Sequence, residues 1–176
     1  MAMQYRSEYR SPLGNLTLAS DGERLTGLWL EGQKYFGGGV ADAPRREDLP
    51  LFAQAKQWLE RYFAGEQPAP LELPLAPEGG AFRRLVWGLL LDIPYGQVTT
   101  YGGLAKKAAA KLGRSSMSPQ AVGGAVAHNP ISILIPCHRV MGSGGSLTGY
   151  AGGVEKKQWL LVHEGVLPQK GSALTG

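Results

Sequence analysis

The sequence predicts an α+β protein in two modules: a small antiparallel sheet with one helix, then a mostly helical segment. Three observations carry that prediction. Short, partly alternating apolar stretches separated by turn residues occupy the first thirty positions, and helical periodicity takes over beyond residue 80. Between them runs a proline-rich stretch, Gln67 to Glu78, which sets the boundary at residue 78: 1–78 for the first module and 79–176 for the second.

Gln4 to Tyr9, Asn15 to Ala19 and Arg24 to Leu30 are the strands, and Pro12-Leu13-Gly14 and Asp21-Gly22 supply the turns of a meander. Glu31 to Asp48 has no sustained period and contains Gly37-Gly38-Gly39 and Pro44, so it is a loop. Asp48 is placed to cap a helix whose apolar face is Leu51, Phe52, Ala55, Leu59, Tyr62 and Phe63, and Gly65 stops it. Leu71-Glu72-Leu73 is a candidate fourth sheet contact.

In the second module, Phe82, Leu85, Val86, Leu89 and Leu90 form one stripe, ended by Ile93-Pro94-Tyr95-Gly96. A helix from Tyr101 to Lys111 turns Leu104, Ala108 and Leu112 inward and Lys106, Lys107 and Lys111 outward. Ser118-Pro119 opens the next, a side-chain cap followed by the residue best suited to the first helical position. Its body, Gln120 to Ala127, contains Gly123-Gly124. Each glycine costs a helix about 1 kcal/mol relative to alanine, so close approach to another surface should offset the loss. That surface is a neighbouring helix or a nucleic-acid groove, and two helices joined by a short turn fit a helix-turn-helix. After His128-Asn129-Pro130, an apolar run from Ile131 to Ile135 reads as a buried strand, and a last helix spans Glu155 to Glu164. The tail after Gln169 is polar and reads as disordered.

Of the 176 residues, 43% are hydrophobic and 18% charged, ordinary for a folded globular chain. A single cysteine excludes an internal disulfide and a multi-cysteine zinc site. Neither a signal peptide nor a membrane span of about 20 apolar residues is present, which predicts a cytoplasmic protein. Net charge is −3 over residues 1–80 and +6 over 81–165. A basic module beside an acidic one suits a protein in which only one part meets a polyanion.

The single cysteine lies in Ile135-Pro136-Cys137-His138-Arg139-Val140, where an apolar run delivers a thiol to a basic dipeptide, with a glycine-rich segment following. Two readings stand: an exposed nucleophile on a rigid support, or an inert core cysteine. A nucleophilic role needs something to favour the thiolate, and His138 is adjacent; in an extended chain the two side chains would point apart, so water or a turn must join them. Glu164 sits at a helix C-terminus, where the dipole disfavours a carboxylate, and a residue in a locally wrong place often has a tertiary role.

Pro136-Cys137-His138-Arg139-Val140, with Ala121-Val122-Gly123-Gly124-Ala125 and Asn129-Pro130 before it and Tyr150, Gly152-Gly153, Lys157 and His163-Glu164-Gly165 after it, resembles the O6-alkylguanine-DNA alkyltransferases, the bacterial Ogt type included. The resemblance implies a ribonuclease H-like N-terminal module and a winged helix-turn-helix-like C-terminal one. It further implies double-stranded DNA containing O6-alkylguanine as partner, bound through the minor groove, with the damaged base rotated into a pocket and its alkyl group moved irreversibly to Cys137. On this reading His138 is the base acting through water, Glu164 orients it, and Asn129 holds the turn before the thiol. Tyr101 protonates the leaving base, the Val140 carbonyl accepts from the guanine amino group, and Tyr150, Arg139 and Gly152 complete the pocket. Thr100, Ser118, Gln120, Ala121 and Gly124 contact DNA. Many family members have arginine where this chain has Gln120. Relatives that bind zinc do so through N-terminal cysteines; this chain has none, so no metal and no cofactor is implied. The chain should be a monomer. A lesion-binding module without transfer and a thiol hydrolase are the alternatives; Cys137 argues against the first, and the lack of an oxyanion motif against the second.

Overall fold

The computed structural model describes residues 3–33, 40–147, 150–151 and 153–168. Gly37-Gly38-Gly39, Thr148, Gly149, Gly152 and the tail from residue 169 lie outside them.

Strands β1 (Tyr5–Ser11), β2 (Gly14–Ser20) and β3 (Leu25–Leu30) form the expected antiparallel meander, with Tyr5 opposite Ser20 and Leu16 opposite Leu30. Gly14, at φ +101, turns the chain from β1 into β2. Leu16, Leu18, Leu28 and Leu30 are buried with Phe52, Ala55 and Leu59 of helix α1 (Pro50–Phe63). At about 1.5–3 kcal/mol per buried aliphatic side chain, this layer gives the first module its core. Pro50 rather than Asp48 starts α1: no side chain caps the helix, and the Asp48 carboxylate pairs with Arg46. Leu71 is exposed in a single 3-10 turn, Pro70–Glu72, and the extra sheet contact falls later, where Leu75 bridges Leu25.

Helices α2 (Ala81–Leu91), α3 (Tyr101–Lys111) and α4 (Pro119–Ala127) pack on one another, and α5 (Val154–His163) lies against the cysteine segment. The Trp87 indole donates to the Ala125 carbonyl at 2.8 Å, tying α2 to α4. Leu112 is 47% exposed rather than inward, because α3 ends there. Among the described residues no helix is long and apolar enough to cross a membrane.

The run Ile131 to Ile135 is a tight turn, not the predicted strand. Leu28 of β3 takes both of its edge bonds from this turn: its N–H donates to Pro130 and its carbonyl accepts from Ser132, at 2.8 and 2.9 Å. One contiguous core results, running from Leu16 of the sheet through Val86, Ile131 and Leu160. The cysteine segment therefore rests on both modules.

Candidate active site

Asn129 builds the turn that presents the thiol. Its side-chain oxygen accepts from the Ile131 N–H at 3.0 Å, and its amide donates to the Ile135 carbonyl at 2.8 Å, closing a loop in which Ile133 is held at φ +72. A β-branched residue there costs about 1–3 kcal/mol, a strain that the buried Asn129 bonds offset. Cys137 to Arg139 then form one 3-10 turn, and β5 (Val140–Met141) pairs in parallel with β4 (Thr99–Thr100), directly before α3. The 3-10 turn replaces the extended chain expected at Cys137.

The thiol is not exposed: Cys137 is 5% accessible. Burial pushes it up to about 11, against the Asn129 side chain and the Lys157 charge, which pull the other way. The resting form at neutral pH is the thiol, so a base must take its proton as it reacts.

The next residue in the chain, His138, is the candidate. The His138 ring is fully buried; its Nε2 meets Glu164 Oε2 at 2.7 Å, and its Nδ1 has no hydrogen-bond partner. Burial alone would raise the Glu164 carboxyl, but the charge and hydrogen bonds of His138 and Arg139 outweigh it and hold it at about 2. Burial lowers His138, with Glu164 opposing. The carboxylate is therefore ionised, held by Arg139 throughout and by the imidazole's charge only when the ring is protonated; burial favours the neutral ring. Nε2 must then carry the proton it donates to Glu164, which leaves Nδ1 as a bare acceptor.

Arg139 is placed otherwise than as a pocket residue. Its Nε and one terminal nitrogen donate to Glu164 at 2.7 and 3.1 Å, and the other donates to the Ile93 carbonyl at 2.6 Å. The guanidinium fixes the carboxylate and is not available to a substrate, a correction to its expected role.

Around the thiol stand Tyr150, Tyr101 and Lys157. The Tyr150 hydroxyl is buried facing Ser132 and the Cys137 thiol; burial, then the thiol's negative form, raise its pKa well above the usual value. Tyr101 is raised by the same two causes in the same order. Lys157 is fully buried and donates to the Val140 carbonyl, its ammonium 6.0 Å from the centre of the Tyr101 ring. Burial lowers it to about 8, against the pull of Cys137. The Val140 carbonyl so holds the Lys157 ammonium as a donor.

Of the expected DNA-contacting residues, Thr100 stands exposed at the start of α3, and Ser118, Gln120, Ala121 and Gly124 are exposed at the start and along α4. Thr100 caps α3 by accepting from the Gly103 N–H at 3.0 Å; Ser118 caps α4 by accepting from the N–H groups of Gln120 and Ala121. The Ser118 hydroxyl donates to the Gln120 side-chain oxygen at 2.8 Å, folding that side chain over the helix start. A methyl group added at Gly123 would lie 3.9 Å from the Tyr101 ring of α3, so the close approach there is to a neighbouring helix, whereas one added at Gly124 would meet nothing within 4 Å. Lys106, Lys107 and Lys111 are exposed on α3.

Comparison with known proteins settles what this arrangement belongs to. A model of the 6-O-methylguanine DNA methyltransferase DNA-binding domain matches residues 81–166, and one of that family's ribonuclease-like domain matches residues 4–77. The chain belongs to the O6-methylguanine-DNA methyltransferase family. It is 41% identical to a methylated-DNA–protein-cysteine methyltransferase of Haemophilus influenzae, over 93% of this chain and 88% of that one. It is 42% identical to one from Methanosarcina acetivorans, over 92% and 98%. The fold superposes on the Mycobacterium tuberculosis OGT crystallised with DNA at a TM-score of 0.79 and 37% identity, over 94% and 96% of the two chains.

Beside the methyltransferase residues expected from sequence, the structure brings in two that reading the chain did not assign. Lys157 sits three and four positions before Leu160 and Leu161, so a lysine on the buried stripe of α5 was the available signal. Tyr62, on α1, donates to Glu164 Oε2 at 2.6 Å. Its apolar spacing marked only a core residue, and nothing local announces a partner 102 positions away.

Proposed function

We propose that this chain repairs DNA by moving the alkyl group of O6-alkylguanine, and of O4-alkylthymine where the pocket admits it, to Cys137. The reading rests on one observation above the others: a buried thiol beside an imidazole whose Nε2 is fixed by an ionised carboxylate and whose Nδ1 is left as an acceptor.

The thiol proton passes, through water, to His138 Nδ1 as sulfur attacks the alkyl carbon. The carbon–O6 bond breaks, its electron pair leaves with guanine, and the Tyr101 phenol protonates the departing base. Lys157, ammonium-bearing below about pH 8, lowers the energy of the developing thiolate. A thioether has no comparable leaving group, so the protein reacts once. Because Cys137 is 5% accessible, a base inside the duplex stack cannot reach it and must be rotated out. Helix α4, small-faced and without Arg or Lys, suits the minor groove, with Gln120 at the position where a side chain can fill the vacated stack. Residues 79–176 carry DNA binding and transfer, and residues 1–78 support them. We place the protein in the cytoplasm, acting as a monomer.

Incubation with duplex DNA containing O6-methylguanine, followed by peptide mass analysis, tests the reading. The Cys137 peptide should gain one methyl group, and Cys137→Ala should bind the DNA without gaining it. An unmodified Cys137 peptide would refute it.

A further inference from the structure

We propose that Tyr62 of the N-terminal module is a positioning residue of the transfer reaction, setting through Glu164 the basicity of His138. The proposal rests on the relay described above.

Two adjacent residues at the C-terminal end of α5 grip Tyr62 from both sides. Glu164 Oε2 accepts from the Tyr62 hydroxyl at 2.6 Å, and His163 Nε2 meets the Tyr62 backbone carbonyl at 2.7 Å. The ring is locked by stacking on Trp58, with centroids 5.6 Å apart and planes 8° from parallel, and by edge contacts with Phe63 and Tyr95. The hydroxyl therefore has little freedom to turn elsewhere. It lands on the oxygen that also takes His138 Nε2 and one Arg139 nitrogen, whereas Oε1 takes only Arg139 Nε.

A donor on a carboxylate oxygen draws off negative charge that the imidazole would otherwise feel. Without the phenol, Glu164 acts more strongly on His138, the ring becomes more basic, and it is protonated at higher pH. A protonated ring cannot take the thiol proton. The acid limb of the transfer rate, below which the base is lost, must therefore move up when the hydroxyl is removed and down when it is made a stronger donor. The charged and titratable groups facing this cluster are Tyr62, Tyr95, Cys137, His138, Arg139, Tyr150, Lys157 and His163. Of these, only Tyr62 comes from the first module.

The test is the single-turnover transfer rate from O6-methylguanine DNA across pH 5 to 9, with the full chain. Tyr62→Phe keeps the ring stack and removes the hydroxyl; 3-fluorotyrosine at position 62 keeps the bond and strengthens the donor. The acid limb should rise by about half a unit in Tyr62→Phe, about a threefold slower rate on that limb, and should fall in the fluorinated protein. Superimposable profiles, or a loss of rate uniform in pH that tracks a lower melting temperature, would overturn the assignment. If Tyr62→Phe does not fold, the fluorinated protein decides alone. Failure of wild-type protein to methylate Cys137 would instead strike the relay reading itself.

Discussion

Replacing Glu164 by glutamine tests the buried charge on which the site is built. Four donors converge on its two oxygens: the Tyr62 hydroxyl, His138 Nε2 and two nitrogens of Arg139. An amide offers one acceptor oxygen and turns its own N–H groups against donors, leaving a guanidinium that is 7% accessible without its counter-charge. The fall of the carboxyl from 4.5 to about 2 corresponds to about 3–4 kcal/mol of stability, at about 1.4 kcal/mol per unit. That agrees with the 3–5 kcal/mol typical of breaking a buried ion pair from one side. Glu164→Gln should lose about 3 kcal/mol in urea unfolding at pH 7 and about 6–12 °C in melting temperature. Because the folded carboxyl is depressed, its contribution is complete above the unfolded value and is lost as pH falls toward 2. Wild type should therefore approach the variant in stability between pH 5 and pH 2. A difference below about 1 kcal/mol at pH 7, or one that persists undiminished at pH 2, would refute an ionised Glu164. Adding Arg139→Met should recover part of the loss, since the stranded charge goes with it.

Three further outcomes follow from the geometry. Lys157→Met keeps the buried stem and removes the charge, so single-turnover transfer at pH 7 should slow by at least about tenfold while stability holds or rises, because a desolvated ammonium is lost. Asn129→Ala strands the Ile131 N–H and leaves the Ile135 carbonyl with only the Cys137 N–H, and should cost about 1–3 kcal/mol in urea unfolding, with transfer falling as the turn loosens. Gly124→Leu adds a side chain where the fold leaves open space; melting temperature should hold or increase, whereas affinity for duplex DNA should drop at least about tenfold in a binding titration.

Local chemistry made much of this fold legible. Ser118-Pro119 sets the start of α4 because a hydroxyl cap and a fixed φ both act within one turn, and the meander follows from turn residues and alternation. The misread elements are those that tertiary contacts decide. An apolar run of five residues, Ile131 to Ile135, satisfies strand and buried turn equally. It becomes a turn because the Asn129 side chain supplies its hydrogen bonds and Leu28 of another module takes the rest. Asp48 had a capping residue's chemistry but a nearer partner in Arg46.

The site divides in the same way. Glu164 was readable because its position conflicts with the helix dipole, and a residue locally out of place has a reason elsewhere. Arg139 and Lys157 were not readable as interior groups, since charged residues are ordinarily outside and their burial here depends on Glu164 and on the Val140 carbonyl, 25 and 17 positions away. The buried state of Cys137 also follows from tertiary packing, against Asn129, Tyr150 and Lys157. It changes the chemistry, from a thiolate waiting in solvent to a thiol that loses its proton only as it reacts.

The most direct test of this account is the stoichiometry of transfer. Purified protein is given a large excess of duplex DNA labelled in the methyl group of O6-methylguanine, and the label bound to protein is followed to its plateau. The account predicts a plateau at one methyl group per chain, all of it on Cys137, with no further demethylation of the remaining DNA. Continued loss of methyl groups beyond one per chain, or label on any other residue, would contradict it.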